Sequence, residues 1–152
     1  MYMRFQFRRF LKRDDGSSLI ETAILLPLFL FMFVGVVDLG RAYYVSIELT
    51  SAAHNGALYG IQNPMDASGM QTASSQGASN LVGVSTTATY GCECSDGSAA
   101  SASCSNVPSC TYNYVSYVDV VSSVQYVPIF RYPGLPGTMT FYKESRMRVG
   151  GD

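Results

Sequence analysis

The chain has 152 residues, a formal net charge of −1 and no tryptophan. Half of its ten basic residues lie in the first 13 positions, and from position 17 onward five basic residues stand against nine acidic ones. A nucleic-acid-binding protein needs its positive charge on the folded part, so this distribution excludes that class and indicates a basic tip on a mildly acidic body.

A long apolar run follows the basic tip. Residues 19–37 contain one charged residue, Glu21, and as a helix they would rise about 29 Å, close to the hydrocarbon thickness of a bilayer. A core helix of a soluble protein is the alternative, but the remaining Ser-, Gly- and Tyr-rich chain offers too little apolar surface to surround it. The run therefore predicts a transmembrane helix, with a kink expected at Pro27.

The basic residues also predict the orientation of this helix. All five leader cations flank its N-terminal end and only Arg41 flanks the other, and basic residues stay on the cytoplasmic side. We expect a single-pass inner-membrane protein with a cytoplasmic N-terminus and a periplasmic C-terminal domain. An ordinary signal peptide has a shorter apolar stretch and a small-x-small cleavage site, which residues 38–42 lack.

The junction between the tip and the apolar run carries a processing motif. Gly16 follows a charged leader, and Glu21 comes five residues later within the apolar helix. This arrangement is typical of type IV prepilins, in which a membrane aspartic peptidase cuts after the glycine and leaves the helix attached. Glycine permits an unobstructed backbone at the scissile bond, so we expect residues 1–16 to be a leader and Ser17 to begin the mature chain.

Glu21 has two interpretations. A carboxylate in a membrane helix is costly and usually has a partner, and the amino group of Ser17 on a neighbouring subunit is a natural one. The alternative is an interfacial glutamate that stays hydrated or stabilises the first helical turn. The first interpretation is favoured and makes Glu21 a subunit-assembly residue.

Three segments, taken together, resemble one known family. They are Gly16-Ser-Ser-Leu-Ile-Glu-Thr-Ala-Ile-Leu-Leu-Pro27, Gly35-Val-Val-Asp-Leu-Gly-Arg41 and Leu49-Thr-Ser-Ala-Ala-His-Asn-Gly-Ala57. Their polar and proline positions are similar to those of the TadE-like family, the pseudopilins or minor pilins of the tight-adherence (Flp-type) pilus. The resemblance implies cleavage by a prepilin peptidase, and other pilins and the pilus assembly platform as partners. The sequence contains no metal-ligand spacing, no nucleophile elbow and no glycine-rich phosphate loop, so we expect no enzymatic activity and no cofactor.

The helix is expected to continue beyond the membrane, over residues 17–60 in all, and would be about 66 Å long if unbroken. Small residues allow close packing, either on the chain's own sheet, which is favoured, or on another helix. His54, the only histidine, is expected to face solvent, which leaves no Ser-His or Cys-His pair for catalysis. The predicted buried face comprises Ala42, Val45, Leu49, Ala52, Gly56 and Tyr59, and the small residues are Ala52, Ala53, Gly56, Ala57 and Gly60.

Residues 61–152 are predicted to form an exported α+β domain, with a pilin-like arrangement of the long helix on a small antiparallel sheet of about three strands. The pattern predicts a short helix within 66–80 and a loop at 95–106. The predicted strands are 82–90, 111–127 with a bulge near Ser122–Ser123, and 138–149 with Met139, Phe141, Met147 and Val149 on one face.

Cys92, Cys94, Cys104 and Cys110 lie close together in this domain. In an oxidising compartment they predict two disulfides, and no metal site, because one residue between Cys92 and Cys94 is too short for a zinc knuckle. A Cys92–Cys94 bond is geometrically awkward, which leaves two pairings. The nested pairing, Cys92–Cys110 with Cys94–Cys104, is preferred over Cys92–Cys104 with Cys94–Cys110 because it would staple one end of a hairpin.

Two functions from different classes follow from these features. The first is a minor pilin or pseudopilin that takes part in assembly of a type IVc (Tad/Flp) pilus. The second is a membrane-anchored periplasmic or surface binding domain with no filament role. The state of the Gly16–Ser17 junction distinguishes them.

Overall fold

The computed structural model describes residues 17–132 and 134–150. Gly16 and the rest of the expected leader lie outside the described residues. The elements in chain order are α1 (Ser17–Gln62), α2 (Ala67–Gly77), β1 (Ser85–Cys94), β2 (Ala100–Ser101), β3 (Tyr114–Tyr126) and β4 (Met139–Arg148). The predicted α+β class is confirmed, since a long N-terminal apolar helix is followed by a small antiparallel sheet.

The chain divides into two compact units, one ending at Gly40 and the other beginning at Arg41. The described part of the first unit is the N-terminal half of α1, which is helical through Pro27. The hydroxyl of Thr22 donates to the carbonyl of Ser18 at 2.8 Å and so remains satisfied inside an apolar helix. The second unit contains the rest of α1, α2 and the sheet.

The sheet has the order β2-β1-β3-β4, and every neighbouring pair is antiparallel. The fourth strand, β2, was not predicted from the sequence. It lies within the stretch 95–106, predicted as a loop, and pairs with β1 through only Cys92↔Ser101 and Glu93↔Ala100. β1 begins later than predicted because Gly83 turns the chain with a φ of +79°, and it continues to Cys94 opposite Tyr114.

The bulge expected near Ser122–Ser123 is wrong. The ladder runs without a break through both residues, with Ser122 between Thr86 and Lys143 and Ser123 between Ser85 and Tyr142. The two serines fit a regular strand because they face opposite sides. Ser122 is fully buried against the helices, whereas Ser123 is on the other side of the sheet.

The core of the second unit lies between the helices and the central strand β3. The main cluster of buried residues is Ala57, Met70, Val118 and Val120, and partly buried side chains from β1 and β4 pack against it. The predicted alternation of β4 is confirmed for Met147 and Val149, which lie on this side of the sheet.

The small residues of α1 pack on the chain's own fold, as favoured from the sequence. A Cβ atom on Gly56 would lie 2.9 Å from the carbonyl oxygen of Met70 and 2.9 Å from Val120 Cγ1. A Cβ atom on Gly60 would lie 2.6 Å from Met70 Sδ. A larger residue at Gly56 would meet the backbone of α2 and push α1 away from it, whereas at Gly60 the flexible thioether of Met70 would have to shift.

Tyr59, expected on the buried face, is instead 36% exposed. Its hydroxyl donates to the carboxylate of Asp66 at 2.8 Å. Asp66 is the N-cap of α2 and accepts from the backbone N–H of Gly69 at 2.9 Å. The side chain of Tyr59 therefore turns towards the polar N-cap of α2 and does not join the buried apolar face of α1.

Candidate functional site

The apolar half of α1 is the most unusual surface of the chain. Its most apolar 18-residue window has no buried residue, and large side chains such as Phe29 and Phe33 are 65% and 67% exposed. Among the described residues, α1 is the one helix long and apolar enough to cross a membrane. A core helix of a soluble protein would be mostly covered by its own chain, so this exposure fits a membrane-anchored protein.

Glu21 lies at the start of this exposed surface. Its neighbours along the chain and one turn later include Leu19, Ile20 and Ile24, which are 74%, 56% and 68% exposed. A carboxylate at the centre of a membrane helix costs about 2.5–3.5 kcal/mol on insertion scales and less near the edge. An amine or water from outside the chain would offset that cost. Ser17, whose amino group is the proposed partner, is the first residue of α1.

Arg41 has a role that the sequence did not reveal. Its guanidinium carbon lies 5.6 Å from the centroid of the Tyr126 ring, and that ring stacks on Phe141 at 5.3 Å with an interplanar angle of 8°. A cation over an aromatic face is attracted by the ring quadrupole. Arg41 thus holds the start of the second unit to the last residue of β3. Only the strand register puts Tyr126 and Phe141 side by side, so neither was identifiable beforehand.

The four cysteines form two disulfides, as predicted, but the preferred nested pairing is wrong. The bonds are Cys92–Cys104 and Cys94–Cys110, with Cα–Cα distances of 5.0 and 5.4 Å. The unexpected strand β2 explains the pairing. It places Ser101 opposite Cys92, so Cys104 lies beside Cys92, while Tyr114 opposite Cys94 brings Cys110 to that residue.

Over the part of the chain that the structure describes, no group of three or more His, Cys, Asp or Glu side chains is arranged to hold a metal ion. His54 is exposed on α1, as expected. The chemically distinctive features are therefore the apolar helix, its acidic residue and the two disulfides.

These features define a class of protein, an α+β domain with two disulfides that follows a single apolar helix long enough to span a membrane. The family model described as TadE-like protein matches residues 16–58, so the chain carries a TadE-like segment and the resemblance seen in the sequence is confirmed.

The match coincides with most of α1 and includes no residue of the sheet. No curated protein and no solved structure matches the chain.

Proposed function

We propose that this protein is a minor pilin or pseudopilin that a prepilin peptidase cuts after Gly16 and that then takes part in assembly of a type IVc (Tad/Flp) pilus. The observation that carries the proposal is the coincidence of the TadE-like match with the helix whose apolar side chains are exposed. Such a surface needs a bilayer before assembly and other apolar helices after it.

Cleavage would change the electrostatics of the helix end. The leader carries five basic residues, which hold the N-terminus at the cytoplasmic face of the membrane. Removing them leaves one new amino group on Ser17 and, nearby, the carboxylate of Glu21. In the assembled pilus, Glu21 of one subunit would pair with that amino group of its neighbour, because the pair is more favourable in an apolar surrounding than either charge alone.

The proposed topology keeps the N-terminus in the cytoplasm and the second unit in the periplasm, or outside the cell once it is in a pilus. The two disulfides are consistent with this compartment, since such bonds persist in oxidising environments. The proposed partners are the prepilin peptidase, other pilins and the assembly platform in the inner membrane.

The test is mass spectrometry of the full chain from cells with and without the prepilin peptidase, combined with detection in sheared pili. The mature chain should begin at Ser17 only when the peptidase is present. Gly16→Leu should block cleavage because a side chain obstructs the scissile backbone. Glu21→Gln should be cut normally and be strongly depleted from pili.

Glu48→Gln is the matched control, since Glu48 is an acid of the same helix that lies in the second unit. It should be cut and incorporated like the wild type. A chain that keeps Met1 in cells with active peptidase would contradict the proposal and leave the alternative, an anchored binding domain with no filament role.

A further inference from the structure

The two disulfides cross each other in the order of the chain. Counted from the N-terminus, the first cysteine is bonded to the third, Cys92–Cys104, and the second to the fourth, Cys94–Cys110, with sequence separations of 12 and 16 residues. Two shorter spacings are not used, since Cys94 and Cys104 are 10 residues apart and Cys104 and Cys110 are six apart. Closing a shorter loop costs less entropy, so the unfolded chain favours bonds that the folded domain lacks.

The strand that selects the native pairing follows all four cysteines in the chain. β1, which carries the first two cysteines, is held mainly by β3, through ten pairs from Cys94↔Tyr114 to Ser85↔Ser123. β3 begins at Tyr114, after the last cysteine. The one strand between the cysteines, β2, contributes only two pairs. A chain that enters an oxidising compartment from its N-terminus onward therefore presents four thiols before the register of the sheet is fixed.

Oxidation in this order leads to a trap. A Cys94–Cys104 bond can form as soon as Cys104 has emerged, and it leaves Cys92 and Cys110 to bond with each other. The folded sheet requires the opposite arrangement, because Ser101 lies across from Cys92 and so brings Cys104 to that residue. The early bonds therefore oppose the register of the sheet and have to be exchanged before it can close.

From these observations we infer that this chain is a substrate of a disulfide isomerase, an enzyme that carries a reduced, reactive thiol in the same compartment. The isomerase acts after β3 has been exported and before the sheet closes. The inference rests on export of the second unit, which belongs to the proposed topology. It needs neither cleavage of the leader nor a pilus.

The rearrangement is an exchange of thiols without net oxidation. The isomerase thiolate attacks the sulfur of Cys104 in the Cys94–Cys104 bond, so that a mixed disulfide forms and Cys94 leaves as a thiolate. Cys94 then attacks the sulfur of Cys110 and displaces Cys92. Finally, Cys92 attacks the sulfur of Cys104 and releases the isomerase thiolate. The chain holds two disulfides before and after this sequence, and the thiol of the enzyme is regenerated.

Burial in the folded sheet gives the exchange a direction. Cys92 and Cys94 are 2% and 0% exposed, and the other two cysteines are half-buried. The rate of thiol–disulfide exchange depends on access to the sulfur that is attacked. Wrongly paired chains, in which the sheet is open, therefore remain accessible to the isomerase, whereas the native bonds are withdrawn from it once β1 lies between β2 and β3.

The test compares the full chain from bacterial cells with and without their disulfide isomerase. Free thiols are trapped by alkylation, and the unreduced chain is cut after Glu93, Asp96 and Asn106, which puts each cysteine on its own fragment. In cells with the isomerase, mass spectrometry should find the fragments linked as in the native pairing. Without it, the native share should fall to about one third or less, which is expected when the three possible pairings form without selection.

The double variant Cys92→Ser with Cys104→Ser is the matched control, since only the Cys94–Cys110 bond can form within it. That bond should form equally in both strains. An equal loss in the double variant would assign the effect to oxidation in general and overturn the inference. So would a wild type with the same native share in both strains, which would leave export of the domain intact. Four free thiols in the wild type from both strains would instead overturn the proposed topology, and the inference with it.

Discussion

The ring of Tyr117 lies in the space left by the missing side chain of Gly91. The two residues are directly opposite each other on β1 and β3, and a Cβ atom on Gly91 would be 2.7 Å from Tyr117 Cζ. The hydroxyl of Tyr117 donates to the carbonyl of Ser101 on β2 at 3.2 Å, and the guanidinium of Arg146 on β4 covers the ring at 4.6 Å. One side chain thus links all four strands.

This contact explains why Tyr117 is only 4% exposed although it lies on the face of the sheet that points away from the core cluster. Asp119 shares that face and accepts a hydrogen bond from Arg146 at 2.9 Å. The Asp119 hydrogen bond raises the pKa of Arg146 above its usual range, so the cation over the ring stays charged. A glycine opposite an aromatic residue is a known way for a sheet to fix its register.

Replacing Gly91 by alanine should destabilise the sheet by about 1–3 kcal/mol, as overpacking of a tight site does. The added methyl group would meet Tyr117 and the backbone oxygen of Ser101, and the backbone cannot yield as a flexible side chain would. The measurement is denaturant unfolding of the full chain in detergent, monitored through the near-ultraviolet circular dichroism of tyrosine.

Gly137→Ala is the matched control, because a Cβ atom there would meet nothing within 4 Å. Its stability should stay within about 0.5 kcal/mol of the wild type. Equal effects of the two substitutions would show that Tyr117 does not depend on the glycine.

The contact between Gly91 and Tyr117 also shows what the sequence alone could not provide. Alternation of apolar residues predicted β3 and β4 with nearly correct ends, because a half-buried strand imposes a period of two on its sequence. It contained no information on which residue of one strand faces which residue of the next. That register decides the partner of Gly91, the position of Arg41 over Tyr126 and the disulfide pairing.

The short strand β2 was missed for a related reason. It has two residues, alanine and serine, in a polar segment with no hydrophobic period, and only its pairing with β1 identifies it. By contrast, polar and proline positions at fixed spacing marked the TadE-like segment, and the composition of the apolar run alone marked the membrane helix. Those signals are local in the chain and need no register.

Three hydroxyl groups join α2 to the sheet, and those of Ser74 and Ser122 belong to fully buried residues. Ser74 Oγ lies 2.9 Å from Thr86 Oγ1 and 2.9 Å from Ser122 Oγ, and the last two are 3.1 Å apart. Ser122→Ala would remove two of these three hydrogen bonds and leave the buried hydroxyl of Ser74 with one partner fewer. We expect a loss of about 1–2 kcal/mol in the free energy of unfolding.

The adjacent Ser123→Ala provides the comparison for that experiment. The hydroxyl of Ser123 faces the other side of the sheet and makes only a long contact of 3.4 Å with the carbonyl of Ser85. Its loss should change stability by less than about 0.5 kcal/mol. If both variants unfold at the same denaturant concentration, the hydroxyl cluster contributes nothing measurable.

Asp66 should make the domain sensitive to acid. The N–H of Gly69 and then the hydroxyl groups of Ser68 and Tyr59 stabilise its carboxylate, which lowers the pKa of Asp66 below its ordinary value. A lowered folded-state pKa gives stability that is present above the unfolded-state pKa of about 4 and is lost as pH falls through the folded-state value.

Asp66→Asn keeps an N-cap side chain but cannot titrate. The wild type should therefore be more stable than this variant at neutral pH, and the difference should shrink as the pH is lowered below about 4. Tyr59→Phe removes one donor to the carboxylate. In this variant the stability that the Asp66 carboxylate provides should therefore be lost at a higher pH than in the wild type. A difference between wild type and Asp66→Asn that is constant with pH would contradict the assignment.

The disulfide pairing can be tested with one substitution and one protease. Cys104→Ser should leave the thiol of Cys92 free, because these two residues are bonded, and should keep the Cys94–Cys110 bond. Alkylation of the unreduced chain, followed by cleavage after Glu93 with a glutamate-specific protease, separates the two candidate thiols. The label should appear on the fragment that ends at Glu93. A label on the fragment that begins at Cys94 would instead support the nested pairing, and with it the simple hairpin in which β2 has no part.

The matched variant Cys110→Ser should give the reverse result, with the label on the fragment that begins at Cys94. Each variant should lose about 2–4 kcal/mol of stability because one cross-link of the unfolded chain is gone.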